Sequence, residues 1–127
     1  MSALGPSNQA RVLVCVTCRT ADAPSAGADL AQATLIAGRN APDISVQPVR
    51  CLGNCSRGSS AAIRCDNTWT YVFGGLDPAH DGPALIAGAR LLAQAVDGIM
   101  PWRERPDSLK RGLVARVPPA DFRGEPP

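Results

Sequence analysis

A chain of 127 residues, 45% hydrophobic and 19% charged, has the length for one domain with a modest core. Its net charge of +2 is too small for the clustered basic stripe that nucleic acid demands, and no run approaches the roughly 18 apolar residues of a membrane span. The opening MSALGPSNQA has neither a positive head nor a long apolar stretch, so no secretory signal is read and a cytoplasmic location is expected.

Aromatic residues make up only 4% of the chain, which predicts a core of small side chains, and 12 glycines with 12 prolines predict many turns. Charge is unevenly placed. Residues 1–98 balance seven arginines against seven aspartates, while residues 99–127 carry six basic and four acidic side chains. Three regions follow: a disordered lead-in over 1–10, an ordered body over 11–100, and an extended, irregular, proline-rich tail over 101–127.

Along the body, Arg11–Val16 is a β-branched run expected to form a buried strand. Residues 20–27 read as a loop. Ala28–Arg39 is helical by propensity, and Asn40-Ala-Pro42 should end it, because the residue before proline avoids helical geometry. Ile44–Val49 alternates apolar and polar residues as a second strand does. Ser60–Cys65 and Thr68–Phe73 form a predicted hairpin turning at Asp66-Asn67. Asp81 is placed to cap a further helix with Pro83 in its first turn and Gly98 just beyond its end. Leu85, Ala89, Leu92 and Val96 recur on one face of that helix.

The resulting order, β-α-β-β-β-α, implies a parallel βαβ unit extended by an antiparallel hairpin. It matches an α/β, thioredoxin-like sandwich lacking some elements. In that arrangement the end of the first strand and the loop after the second meet at one edge of the sheet.

Both of those places carry cysteine pairs: Cys15-Val-Thr-Cys18, and Cys51-Leu-Gly-Asn-Cys55 after 32 intervening residues. Paired cysteines in a reducing compartment more often bind metal or do redox work than form structural disulfides. Four thiolates suit an iron–sulfur cluster or a tetrahedral structural zinc. Cys15 and Cys18 alone would suit thiol–disulfide exchange, and all four could be small buried side chains. Centres needing two histidines are excluded, since His80 is the only one and reads as a surface loop residue. No GxGxxG, no GK[ST] element and no nucleophile–base pair is present; Asp77 and Asp81 beside His80 make no catalytic set. An enzyme with its own substrate pocket is therefore not expected.

The segments VLVCVTCR, RCLGNCSRG, WTYVFGGL and PWRERP, spread over residues 11–119, resemble a family of small bacterial proteins predicted to bind metal. That family is similar to the thioredoxin-like [2Fe–2S] ferredoxins. CLGNCSRG is the most specific part, resembling the second ligand pair of those ferredoxins and of the related small subunit of respiratory complex I. The first pair departs from the better-known members, whose first two ligands are further apart than in CxxC.

The resemblance implies a one-electron carrier with a [2Fe–2S] cluster held by Cys15, Cys18, Cys51 and Cys55. It also implies a reductase and an acceptor as partners, with the acceptor in a step of cobalamin (corrin) biosynthesis. Gly53 and Gly58 would let the backbone bend close to such a cluster, bringing the amides of Leu52, Gly53 and Asn54 toward sulfur. Arg19, Arg50 and Arg57 are either ordinary solvated charges or a basic rim for an acidic partner.

Cys65 reads as a small buried side chain, with a spare ligand as its other role. Trp69, Tyr71 and Phe73 share a strand face. Core packing is the first reading of that face and a homodimer interface the second. Trp102 is expected to pin the tail to the body.

Overall fold

The computed structural model describes residues 9–17, 24–54 and 58–126. Most of the predicted lead-in lies outside them. Five strands, β1 (Ala10–Cys15), β2 (Ile44–Val49), β3 (Ala61–Arg64), β4 (Thr70–Phe73) and β5 (Leu113–Val117), form one sheet in the order β2-β1-β3-β4-β5. β1 and β2 are parallel, and every other neighbouring pair is antiparallel. Helices α1 (Ala26–Ala37) and α2 (Gly82–Ala93) pack against each other and against β1, and a short α3 (Asp107–Arg111) follows.

Alternation along the strands explains the layering. Val12 and Val14 of β1, Ile63 of β3, and Tyr71 and Phe73 of β4 are buried, while the intervening Arg11, Arg64 and Val72 are not. The buried set meets Leu30 of α1 and Leu85, Ile86, Ala89 and Leu92 of α2 in one continuous core. Tyr71 and Phe73 stack nearly parallel at 6.3 Å, and the Tyr71 hydroxyl accepts the Met100 N–H at 3.0 Å. Two of the three rings on that face are thus spent inside the chain. The third, Trp69, is met edge-on by Phe122 at 5.4 Å.

Two expectations for this region are corrected. The second helix stops at Ala93, not near Gly98, and Val96 is fully exposed instead of continuing the buried face. Gly98 serves the hairpin: it has φ of +75°, its carbonyl accepts the Trp69 N–H at 2.9 Å, and a Cβ there would lie 3.1 Å from the Asn67 carbonyl oxygen. Asp81 sits at the N-cap of α2 but makes no side-chain bond to that helix; its carboxylate accepts the Asp77 N–H at 2.6 Å.

The tail is not irregular throughout. Residues 107–111 are helical, and β5 adds a fifth strand beside β4. Trp102 does not pin this segment, being 55% exposed. Arg105 does. It is 6% exposed, and its Nη2 donates to the Met100 carbonyl at 2.6 Å. Its cation lies over the Tyr71 ring at 5.3 Å and over the Trp102 ring at 5.0 Å.

Candidate metal centre

The parallel register sets Cys15, the last residue of β1, beside Val49, the last residue of β2. Beyond that pair the Val16 N–H still donates to the Val49 carbonyl at 2.9 Å, so the two chains leave the sheet together. Cys15 is 1% exposed, and its sulfur lies 3.5 Å from the Arg50 carbonyl oxygen, which also accepts the Thr17 hydroxyl. Arg50 precedes Cys51. Topology alone therefore brings one cysteine of each pair to the same corner of the sheet. Cys18 and Cys55 lie outside the described residues, as do Arg19 and Arg57.

Cys51 is exposed at the start of the loop, where the Gly53 N–H donates to its sulfur at 3.2 Å. That contact needs a left-handed turn. Gly53 has φ of +76°, and a Cβ there would meet nothing within 4 Å. Of the three loop amides expected to approach sulfur, Gly53 supplies this bond.

The loop is tied back to the sheet. The Asn54 side-chain amide donates to the Ser60 hydroxyl at 3.0 Å, and that hydroxyl donates to the Gly58 carbonyl at 3.0 Å. Ser60 is fully buried, and its own carbonyl accepts the Cys15 N–H at 3.0 Å. One serine thus links the two cysteine-bearing segments. The sequence reading passed over Ser60, and its only signal was its place at the mouth of the predicted hairpin.

This donor set fits a thiolate-bound metal. Sulfur is the ligand atom on both segments, one sulfur already takes a backbone N–H as metal-bound thiolates do, and the corner is open on the Cys51 side. Among the described residues no group of three or more His, Cys, Asp or Glu side chains gathers.

The fold agrees with comparisons to other proteins. A family model for proteins of unknown function, DUF1636, matches residues 12–119. The chain belongs to the DUF1636 family. No curated protein matches it. Among solved structures, it is similar to a thioredoxin-like [2Fe–2S] ferredoxin from Aquifex aeolicus, with a TM-score of 0.56 and 18% identity over 89% of this chain and 97% of that one. A 1.5 Å crystal structure of the wild-type Aquifex aeolicus ferredoxin gives a TM-score of 0.55 at 16% identity, covering 84% of this chain and 96% of that one. A cysteine-to-serine variant of it gives 0.51 at 16%, covering 84% and 98%. These likenesses give this DUF1636 chain a thioredoxin-like fold.

Two polar features are set apart from the corner. His80 is a surface residue, as expected, and its Nδ1 lies 2.7 Å from the Asp77 carboxylate. That hydrogen bond raises the His80 pKa and lowers that of Asp77. Both groups are solvated, so the pair adds little to stability.

Cys65 follows β3 at the end opposite Ser60, roughly 16 Å along the strand from the Cys15 level. It cannot stand in as a ligand there. Burial, with Asp66 second, raises its pKa from 9.0 to about 11. Since the folded value lies above the unfolded one, its contribution to stability is complete below pH 9 and lost as pH rises toward 11. At pH 8 iodoacetamide should leave Cys65 unmodified in the folded protein and label it after denaturation, as peptide mass mapping would show; prompt labelling of the native chain would contradict this.

No described helix is long and apolar enough to cross a membrane.

Proposed function

We propose that this protein is a one-electron carrier, a ferredoxin and not an enzyme, binding a [2Fe–2S] cluster through Cys15, Cys18, Cys51 and Cys55. The observation that carries the reading is the junction of the β1 and β2 ends, which sets Cys15 against the residue before Cys51. Likeness of fold to thioredoxin-like [2Fe–2S] ferredoxins supports it.

When bound, such a cluster supplies a one-electron couple at low potential, roughly −400 to −200 mV for four thiolates and no histidine. The chain's residues do the rest. The Gly53 N–H withdraws charge from the Cys51 sulfur, which favours the more negative reduced state. Asn54 and Ser60 hold the loop in place so that little moves on electron transfer. The exposed Cys51 offers a short path to a partner, while the buried Cys15 is shielded from water.

The proposal extends to the surroundings. Arg50, together with Arg19 and Arg57, which neighbour the cysteines in sequence, would serve as a basic rim orienting an acidic partner, the reductase or the acceptor. The protein works in the cytoplasm, as a monomer or a homodimer. An acceptor in corrin synthesis rests on the family resemblance alone.

The test is a visible spectrum with iron and sulfide analysis on protein purified without oxygen. A red-brown protein with about two irons and two sulfides per chain is expected. A colourless protein containing zinc would overturn the reading.

A further inference from the structure

An open groove of about 650 Å³ lies where β4 and β5 run past the segment after α2, lined by Tyr71, Val96, Ile99, Trp102, Arg105 and Arg116 among others. It is two strands removed from β1 and independent of the cysteine corner. We propose that this groove binds a small organic anion with a flat apolar body and one carboxylate, sulfonate or phosphate head.

Arg105 is the first reason. It is a buried cation, 6% exposed, and among the described residues no carboxylate comes within ion-pair distance of it. Its bonds from Nη2 to the Met100 carbonyl at 2.6 Å and from Nε to the Pro101 carbonyl at 3.4 Å use two of the five guanidinium donors. A buried charge held by carbonyls, the Tyr71 side chain and aromatic faces, with no carboxylate among the described residues, gains strongly from an anion, because little water screens the interaction.

Arg116 is the second reason. It pairs with Tyr71 across the β4–β5 ladder, so both side chains reach the same side of the sheet. The Trp69 ring holds its guanidinium at 4.3 Å, again without a carboxylate among the described residues. Asp97 also lines the groove, but its Oδ1 accepts the Ile99 N–H at 3.1 Å, and two cations still outnumber it.

The apolar rim fixes the rest of the ligand. Val96 is fully exposed, Ile99 is 37% exposed and Trp102 is 55% exposed, all around one opening. Three large apolar side chains left in water together mark a surface made to be covered. The volume is that of small-molecule sites, and a flat body would lie on the Trp102 ring with its head toward Arg105 and Arg116.

The probe is 8-anilinonaphthalene-1-sulfonate, followed by fluorescence, with N-phenyl-1-naphthylamine as its neutral counterpart. One saturating site per chain is expected, with the neutral compound at least about tenfold weaker. Arg116→Gln and Trp102→Ala, both at exposed positions, should each weaken the anion about tenfold, the first with unchanged Tm and the second with native far-ultraviolet circular dichroism despite the loss of its contact with Arg105. Arg105→Gln should abolish binding where the variant keeps its Tm, and the two exposed variants decide the matter where it does not. Equal binding of the two compounds, or undiminished binding by both exposed variants, would overturn the proposal.

Discussion

Cys51→Ala is expected to remove at least about nine-tenths of the visible absorption per chain while leaving the far-ultraviolet circular dichroism unchanged. The two readouts separate because Cys51 is exposed and lies in the loop after β2, outside the continuous core. Its loss deletes a thiolate and the acceptor of the Gly53 N–H at an exposed position. The neighbouring Asn54 to Ser60 bond still anchors the loop. Cys65→Ala is the matched control: it lies at the other end of β3 and should keep the full spectrum. A Cys51→Ala protein as coloured as the parent would remove the four-thiolate centre from consideration.

Gly82→Ala should destabilise the fold by about 1–3 kcal/mol, a fall of roughly 4–12 °C in Tm. Gly82 opens α2 where it crosses α1. A Cβ there would lie 2.7 Å from both the carbon and the oxygen of the Ala33 carbonyl and 2.9 Å from the Thr34 nitrogen. All three atoms are helix backbone, so relief requires the two helices to separate and the core between them to open. The usual helix-propensity gain of alanine over glycine is too small to offset that. Gly38→Ala provides the contrast. There a Cβ meets only the ends of Ile86 and Val46 side chains, at 3.3 and 3.4 Å, and these can yield. Near-equal thermal unfolding of the two variants would show that the α1–α2 contact is looser than the structure has it.

Much of this architecture was legible because local chemistry and tertiary environment demand the same thing. Ile44–Val49 is a strand at its predicted bounds, since alternation and β-branching need no help from distant residues. The hairpin turn fell at Asp66-Asn67, where Asn67 adopts φ of +65°, a conformation its short side chain tolerates. The buried face of α2 was predicted at Leu85, Ala89 and Leu92, and all three are fully buried.

The failures share one cause. Gly98 looked like a helix terminator, but a glycine is also needed wherever two backbones touch, and here the touch is with the hairpin. Leu113–Val117 carries a β-branched signal, yet the prolines around it made the segment read as irregular until β4 supplied a partner edge. Trp102 looked like an anchor by size; the anchor is Arg105, whose burial depends on its own turn, which brings Met100 and Trp102 against it, closing over Tyr71 of β4.

The candidate centre divides in the same way. Thiol chemistry and the two-plus-two spacing of its cysteines are properties of the chain read in order, since ligand identity travels with the residue. That Cys15 abuts the approach to Cys51, that the Gly53 N–H reaches a sulfur, and that buried Ser60 joins the two segments belong to the folded sheet alone. Parallel pairing of β1 with β2 brings residues 34 positions apart side by side, and only that pairing converts spacing into proximity.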